Sequence, residues 1–99
     1  MDIMTQRRNA RGKAKRRERM EFSRSLGTHT KEEWLALKME FAGKCVRCGT
    51  GDLPVEKDHI IPIYQGGSDS IENIQPICSL CNVSKGPEAF DWKTLRREQ

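Results

Sequence analysis

Two C-x-x-C pairs, Cys45-Val46-Arg47-Cys48 and Cys78-Ser79-Leu80-Cys81, constrain this 99-residue chain more than any other feature. Only 35% of the residues are apolar and 6% aromatic, against 32% charged, so the chain makes one small domain whose core is too thin to hold it folded by burial alone. A two-residue spacing lets both sulfurs and the intervening amides of each pair turn toward one ion. Four thiolates around one tetrahedral Zn²⁺ is therefore the expected staple. Two disulfides are the competing reading, disfavoured in a reducing compartment. A redox pair is another, but it wants a βαβ context that is missing here. Four cysteines saturate the ion, so this structural zinc would fold the domain and leave no open position for chemistry.

No apolar run approaches the roughly 20 residues of a membrane span, and the basic N-terminus is not followed by an apolar signal core. The expectation is a cytoplasmic protein without membrane contact. The net charge of +4 is unevenly spread. Residues 1–28 carry nine Lys/Arg against three acids, and residues 29–99 carry nine against eleven. Positive charge thus belongs to an N-terminal arm, and the rest is mildly acidic. A cluster running from Arg7 and Arg8 through Arg11, Lys13, Lys15, Arg16 and Arg17 to Arg19 suits a polyanion held through counterion release, the alternative being a solvated tail. The division read from this is an arm over 1–28 and a folded domain over 29–99.

Thr30 and Glu33 form a capping-box pattern ahead of a helix expected over 31–42. Trp34, Leu37 and Phe41 lie on its inner stripe, Lys38 interrupts that stripe, and Gly43 supplies the stop. A strand is expected over Val55–Ile61, a loop from Pro62 to about Glu72 through Gly66-Gly67, and a returning strand over Asn73–Ile77. Pro62 and Pro76 mark interruptions of pairing. A short helix over Ser79–Lys85 follows, and Pro87 opens a terminal helix through Arg97. His29, at a helix start, carries the expectation of a surface role. Tyr64 suits stacking on a base or anchoring the loop.

The ordered string C-x-x-C-G, D-H-I-x-P, G-G-S-x-x-x-x-N-I-Q-P-I-C-x-x-C-N-x-x-K-G resembles the HNH endonuclease family, in the form whose last histidine is replaced by asparagine. The resemblance spans about Trp34 to Gly86 and rests on several elements that agree in order and spacing. It implies a small α+β protein with the ββα-metal (His-Me finger) fold, stapled by the four-cysteine zinc and carrying the basic arm. By the same resemblance, His59 is the general base for water, a task an imidazole near pKa ~6.5 suits at neutral pH. Asp58 and Asn82 are the ligands of a catalytic Mg²⁺ or Mn²⁺, for which oxygen donors are apt. Asn73 ties the loop backbone and holds His59 in place, and Lys85 is a basic group for the phosphate. The implied reaction is in-line hydrolysis of DNA phosphodiester bonds to 5′-phosphate and 3′-hydroxyl products.

The layout resembles small enzymes of phages, mobile elements and restriction loci. Two other functions remain open at this level. One is a non-catalytic zinc-knuckle module that binds DNA or a protein partner. The other is an accessory nuclease subunit acting beside phage packaging proteins. The sequence leaves oligomeric state, cleavage specificity and nicking versus double-strand cutting undetermined.

Overall fold

The computed structural model describes residues 15–86 and 89–99. Helix α1 covers residues 15–25, and α2 (Lys31–Glu40) follows across a short link. The hairpin strands β1 (Val55–His59) and β2 (Ile74–Cys78) come next, then α3 (Ser79–Ser84) and α4 (Trp92–Arg97). Of the expected arm, Arg7, Arg8, Arg11 and Lys13 lie outside the described residues, as does Pro87. Among the described residues no helix is long and apolar enough to cross a membrane.

The capping box at the start of α2 forms as its sequence implies. Thr30 Oγ1 accepts from Glu33 N at 3.0 Å, and Glu33 Oε1 accepts from Thr30 N at 2.9 Å. The end of α2 differs from expectation. The helix stops at Glu40, and two successive residues, Ala42 (φ 55°) and Gly43 (φ 71°), take left-handed conformations, with Gly43 N donating to Lys38 O. Ala42 thus occupies a conformation that its Cβ disfavours.

β1 and β2 pair antiparallel, with Val55 opposite Cys78 and His59 opposite Ile74. Cross-strand partners share a face, so Glu56, Asp58, Gln75 and Ile77 lie on one side of the hairpin. Lys57, His59, Ile74 and Pro76 lie on the other. α3 covers the first face, where Asn82 meets Glu56 and Lys85 meets Asp58. β1 is shorter than expected, and β2 starts and ends one residue later. β1 closes at His59, because the next backbone bond, Ile60 N to Asn73 O, already leads into the loop. Pro76 does not interrupt pairing. It sits inside β2 opposite Lys57, and its carbonyl accepts from Val46 N at 3.0 Å, so its ladder groups face away from β1 and the missing N–H is not needed there.

The core is small and built around sulfur. Cys45, Val46, Ile77, Cys78 and Cys81 form the buried cluster, with Phe41, Leu53 and Trp92 packed on it. Trp34, expected to face inward, is only half-buried. The ammonium groups of Lys38 and Lys57 stand 5.4 and 5.7 Å from its ring, an arrangement that suits an aromatic surface between core and water. α4 begins at Trp92 under an Asp91 cap. It is fastened by its basic residues. Arg96 Nε donates to Val46 O at 2.7 Å, Lys93 Nζ donates to the carbonyls of Ile71 and Glu72, and Arg97 pairs with Glu40.

Candidate zinc knuckle and hairpin active site

Each C-x-x-C pair is folded for metal before any metal is considered. In the first, Gly49 adopts φ 82° and its N–H donates to Cys45 O at 2.8 Å, curling the knuckle so that Cys48 N lies 3.5 Å from Cys45 Sγ. In the second, the chain turns from β2 directly into α3 between Cys78 and Cys81. The four sulfurs lie within 4.8 Å of one another, and those of Cys48 and Cys78 are 3.8 Å apart. Zn–S bonds of about 2.3 Å in a tetrahedron require sulfurs about 3.8 Å apart, so the four residues fit zinc and lie far beyond the roughly 2.05 Å of a disulfide.

Electrostatics make the same demand. Burial tends to raise the Cys45 thiol, but backbone N–H groups of the knuckles outweigh it and bring the thiol down to about 6. Burial and the neighbouring sulfurs push Cys81 up to about 12. Four thiolates this close need a cation to ionise together. All four expected ligands are brought together, in a cluster that could hold a structural metal such as zinc.

At the other end of the hairpin, Asn73 stitches the loop. Its Oδ1 accepts from Ile61 N at 2.9 Å, while its Nδ2 donates to Ile61 O at 3.0 Å and to Ser68 O at 2.7 Å. Gly67 is required by this knot, because a Cβ there would fall 1.8 Å from Ile61 O and 2.9 Å from Asn73 Nδ2. Gly67→Ala is accordingly expected to destabilise the protein by about 3 kcal/mol, the upper end of overpacking costs, visible as a lowered Tm.

His59, the last residue of β1, has its ring partly exposed. Its Nε2 lies 2.9 Å from Asp69 Oδ1. Asp69 has no counterpart among the residues expected from sequence, where it is one polar residue of a glycine- and serine-rich loop. Thr28 Oγ1 donates to its other oxygen at 3.1 Å, and His29 Nδ1 lies 2.7 Å from its backbone carbonyl. His29 is therefore buried at the site rather than on the surface. Burial tends to raise the Asp69 carboxyl, but the bonds from His59 and Thr28 and the neighbouring His29 outweigh that and hold it below the usual carboxylate range.

Asp58 leaves β1 on the face opposite His59 and is only 5% exposed. One carboxylate oxygen accepts from Gln75 Nε2 at 2.8 Å, and the other pairs with Lys85 Nζ. Lys85, expected at the phosphate, is thus buried against the expected metal ligand. Asn82 Nδ2 donates to Glu56 Oε2 at 3.1 Å. Asp58 and Asn82 can each offer an oxygen, a donor that suits a hard cation such as Mg²⁺ or Mn²⁺, but among the described residues each is engaged with a different partner, Asp58 with Lys85 and Gln75 and Asn82 with Glu56. The Lys85 ammonium sits on Asp58, so it and a divalent ion would compete for one Asp58 oxygen. Gln75, fully buried, carries no sequence signal of its role. It also donates to Phe90 O and accepts from Lys93 N, tying Asp58 to the α4 segment.

No curated protein and no solved structure gives a significant match to this chain. Comparison with protein families does. Residues 45–88, from the first zinc-knuckle cysteine to just past α3, match the HNH endonuclease family. That stretch, under half of the 99 residues, holds the knuckles, the hairpin, His59, Asn73 and Asn82, and it is in this part that the chain is similar to the HNH endonuclease family.

Proposed function

We propose that the protein is a divalent-metal-dependent endonuclease that hydrolyses DNA, with His59 as the general base. The observation that carries this reading is the setting of His59. Its ring stands at the end of β1, is tethered through Nε2, and has Nδ1 without a hydrogen-bond partner among the described residues, beside a loop knotted by Asn73. An imidazole held by one nitrogen and bare at the other is poised to take a proton from an attacking water.

Asp58 and Asn82 are the residues that would hold Mg²⁺ or Mn²⁺, and the ion would supply positive charge to the phosphate and the leaving 3′ oxygen. Asp58 and His59 are neighbours at the end of β1 that leave the strand on opposite faces, Asp58 toward α3 and His59 toward the loop of Asp69. Lys85, paired with Asp58 in this structure, is the basic group that would face the phosphate if Asp58 held the ion. Asn73 keeps the loop from drifting and so keeps His59 in register with Ile74.

The DNA backbone is held by the arm. Lys15, Arg16, Arg17, Arg19 and Arg24 are all exposed on α1, whereas Lys93 and Arg96 of α4 are committed to backbone carbonyls and Arg97 is paired with Glu40. Replacing these five α1 cations by Gln is expected to weaken binding and to flatten log affinity against log salt by about 0.9 for each DNA phosphate no longer neutralised. Binding titrations at several salt concentrations read this directly, and an unchanged slope would assign the arm to another role.

The reading is tested by incubating supercoiled plasmid with the full-length protein and Mg²⁺, Mn²⁺ or a chelator. Cleavage with either ion and none with the chelator is expected. Intact plasmid under all conditions, with zinc-loaded folded protein, would leave a binding module in its place.

A further inference from the structure

We propose that Asp69 is the positioning residue for His59, a carboxylate that fixes the imidazole as the Nε2–H tautomer and leaves Nδ1 as its basic nitrogen, and that the junction after α1 holds this carboxylate in place. The inference deepens the reading of His59 as the base and rests on it for its catalytic consequence.

The geometry is specific to this one loop residue. Asp69 Oδ1 meets His59 Nε2 at 2.9 Å, and Oδ2 receives the Thr28 hydroxyl at 3.1 Å. Its backbone is pinned as well. Asp69 N donates to Gly27 O at 3.1 Å and to Ser23 O at 3.3 Å, while its carbonyl faces His29 Nδ1 at 2.7 Å. Ser23, Gly27, Thr28 and His29 all come from the end of α1 and the turn into α2, forty or more positions away in sequence. Close approach is built into that turn. A Cβ at Gly27, whose φ is 138°, would stand 3.1 Å from Ser70 Cβ.

A carboxylate accepts hydrogen bonds and donates none, so the ring nitrogen facing it must carry the proton. The second nitrogen then keeps its lone pair, as the base role needs. A solvated loop aspartate with a single chance contact would not fix a tautomer. Here both carboxylate oxygens and both backbone groups are engaged, and the side chain is 13% exposed. The arrangement assigns two tasks to the sequence around residue 28. The exposed cations of α1 face outward, and the last residues of α1 and its turn buttress the histidine.

The test compares wild type with Asp69→Ala and Asp69→Asn in the full-length, zinc-loaded protein. Two readouts are used. The first is the ¹⁵N pattern of the His59 imidazole in the absence of DNA, at a pH where the ring is neutral. The second is kcat and KM for plasmid cleavage with Mg²⁺. Wild type is expected to show Nε2–H alone, and Asp69→Ala a mixture with Nδ1–H. The alanine variant should lose kcat on the order of 10²-fold at unchanged KM, the cost of a misplaced reacting group. Asp69→Asn keeps the volume and the Thr28 contact and decides the matter if the alanine variant loses its fold or zinc. It is expected to lose kcat in the same direction.

A wild-type ¹⁵N pattern in a folded Asp69 variant overturns the proposal, and so does a wild-type kcat. The ¹⁵N readout is independent of activity. If His59→Ala cleaves like wild type, the base assignment fails, while the tautomer claim still stands or falls on the spectra.

Discussion

Removing zinc is expected to unfold the protein. Three of the five residues of the buried cluster are cysteines of the candidate zinc centre, and both the end of β2 and the start of α3 carry them. Zinc binding to such knuckles is worth about 10–16 kcal/mol near neutral pH, as large as or larger than the roughly 5–15 kcal/mol that keeps a whole domain folded. Cys45→Ser, Cys48→Ser, Cys78→Ser or Cys81→Ser should each yield protein with little cooperative melting. A strong chelator should do the same to wild type. Acid acts in the same direction. Binding needs four thiolates and releases their protons, so stability must fall as pH falls and protons compete for the sulfurs. Circular-dichroism melts paired with metal analysis check this, the expected stoichiometry being one zinc per chain. A well-folded, cooperatively melting protein without zinc would refute the account of the core.

His59→Ala is expected to lower the cleavage rate by at least about 10²-fold and up to about 10⁴-fold, the range a positioned general base supplies. Fold, zinc content and DNA affinity should be retained. The ring is partly exposed and bonds Asp69 alone among the described side chains, and the cations proposed to hold DNA lie on α1. Cleavage time courses beside equilibrium binding separate the two effects. Loss of binding in step with loss of cutting would make His59 a contact residue instead of a base.

Much of the framework is legible in local chemistry. The zinc centre follows from spacing alone, because a two-residue gap dictates where both sulfurs of a knuckle can point. The Thr30–Glu33 capping box is legible for a similar reason, since its partners lie three residues apart. Contacts between distant segments are not legible this way. Asp69 reads as loop composition until folding brings Thr28, His29 and His59 around it. Gln75 looks like a lone polar residue between Ile74 and Pro76, and its bonds to Asp58 and Phe90 depend on where α4 docks.

Lys85 shows a different limit. Its position at the end of α3, one turn after Asn82, follows from sequence, but whether its ammonium meets solvent, a phosphate or Asp58 depends on the face of β1 that α3 covers. Pro76 reads as a break because proline cannot donate, a rule that holds only for the half of a strand's positions that face the partner. The basic residues of α4 carry no sign in sequence of what they bind. Lys93 and Arg96 are fasteners because Ile71, Glu72 and Val46 present carbonyls to them, while Arg97 pairs with Glu40 at the surface.

The most direct test of the central claim, that this chain activates water to hydrolyse a phosphodiester bond, is plasmid cleavage by the full-length protein with Mg²⁺ or Mn²⁺ in ¹⁸O-enriched water, followed by mass analysis of the ends. The account predicts one solvent oxygen in each new 5′-phosphate, an unlabelled 3′-hydroxyl, and far fewer labelled ends from His59→Ala prepared in parallel. Equal labelling by His59→Ala and wild type, or no new ends from wild-type protein that is folded and zinc-loaded, would contradict it.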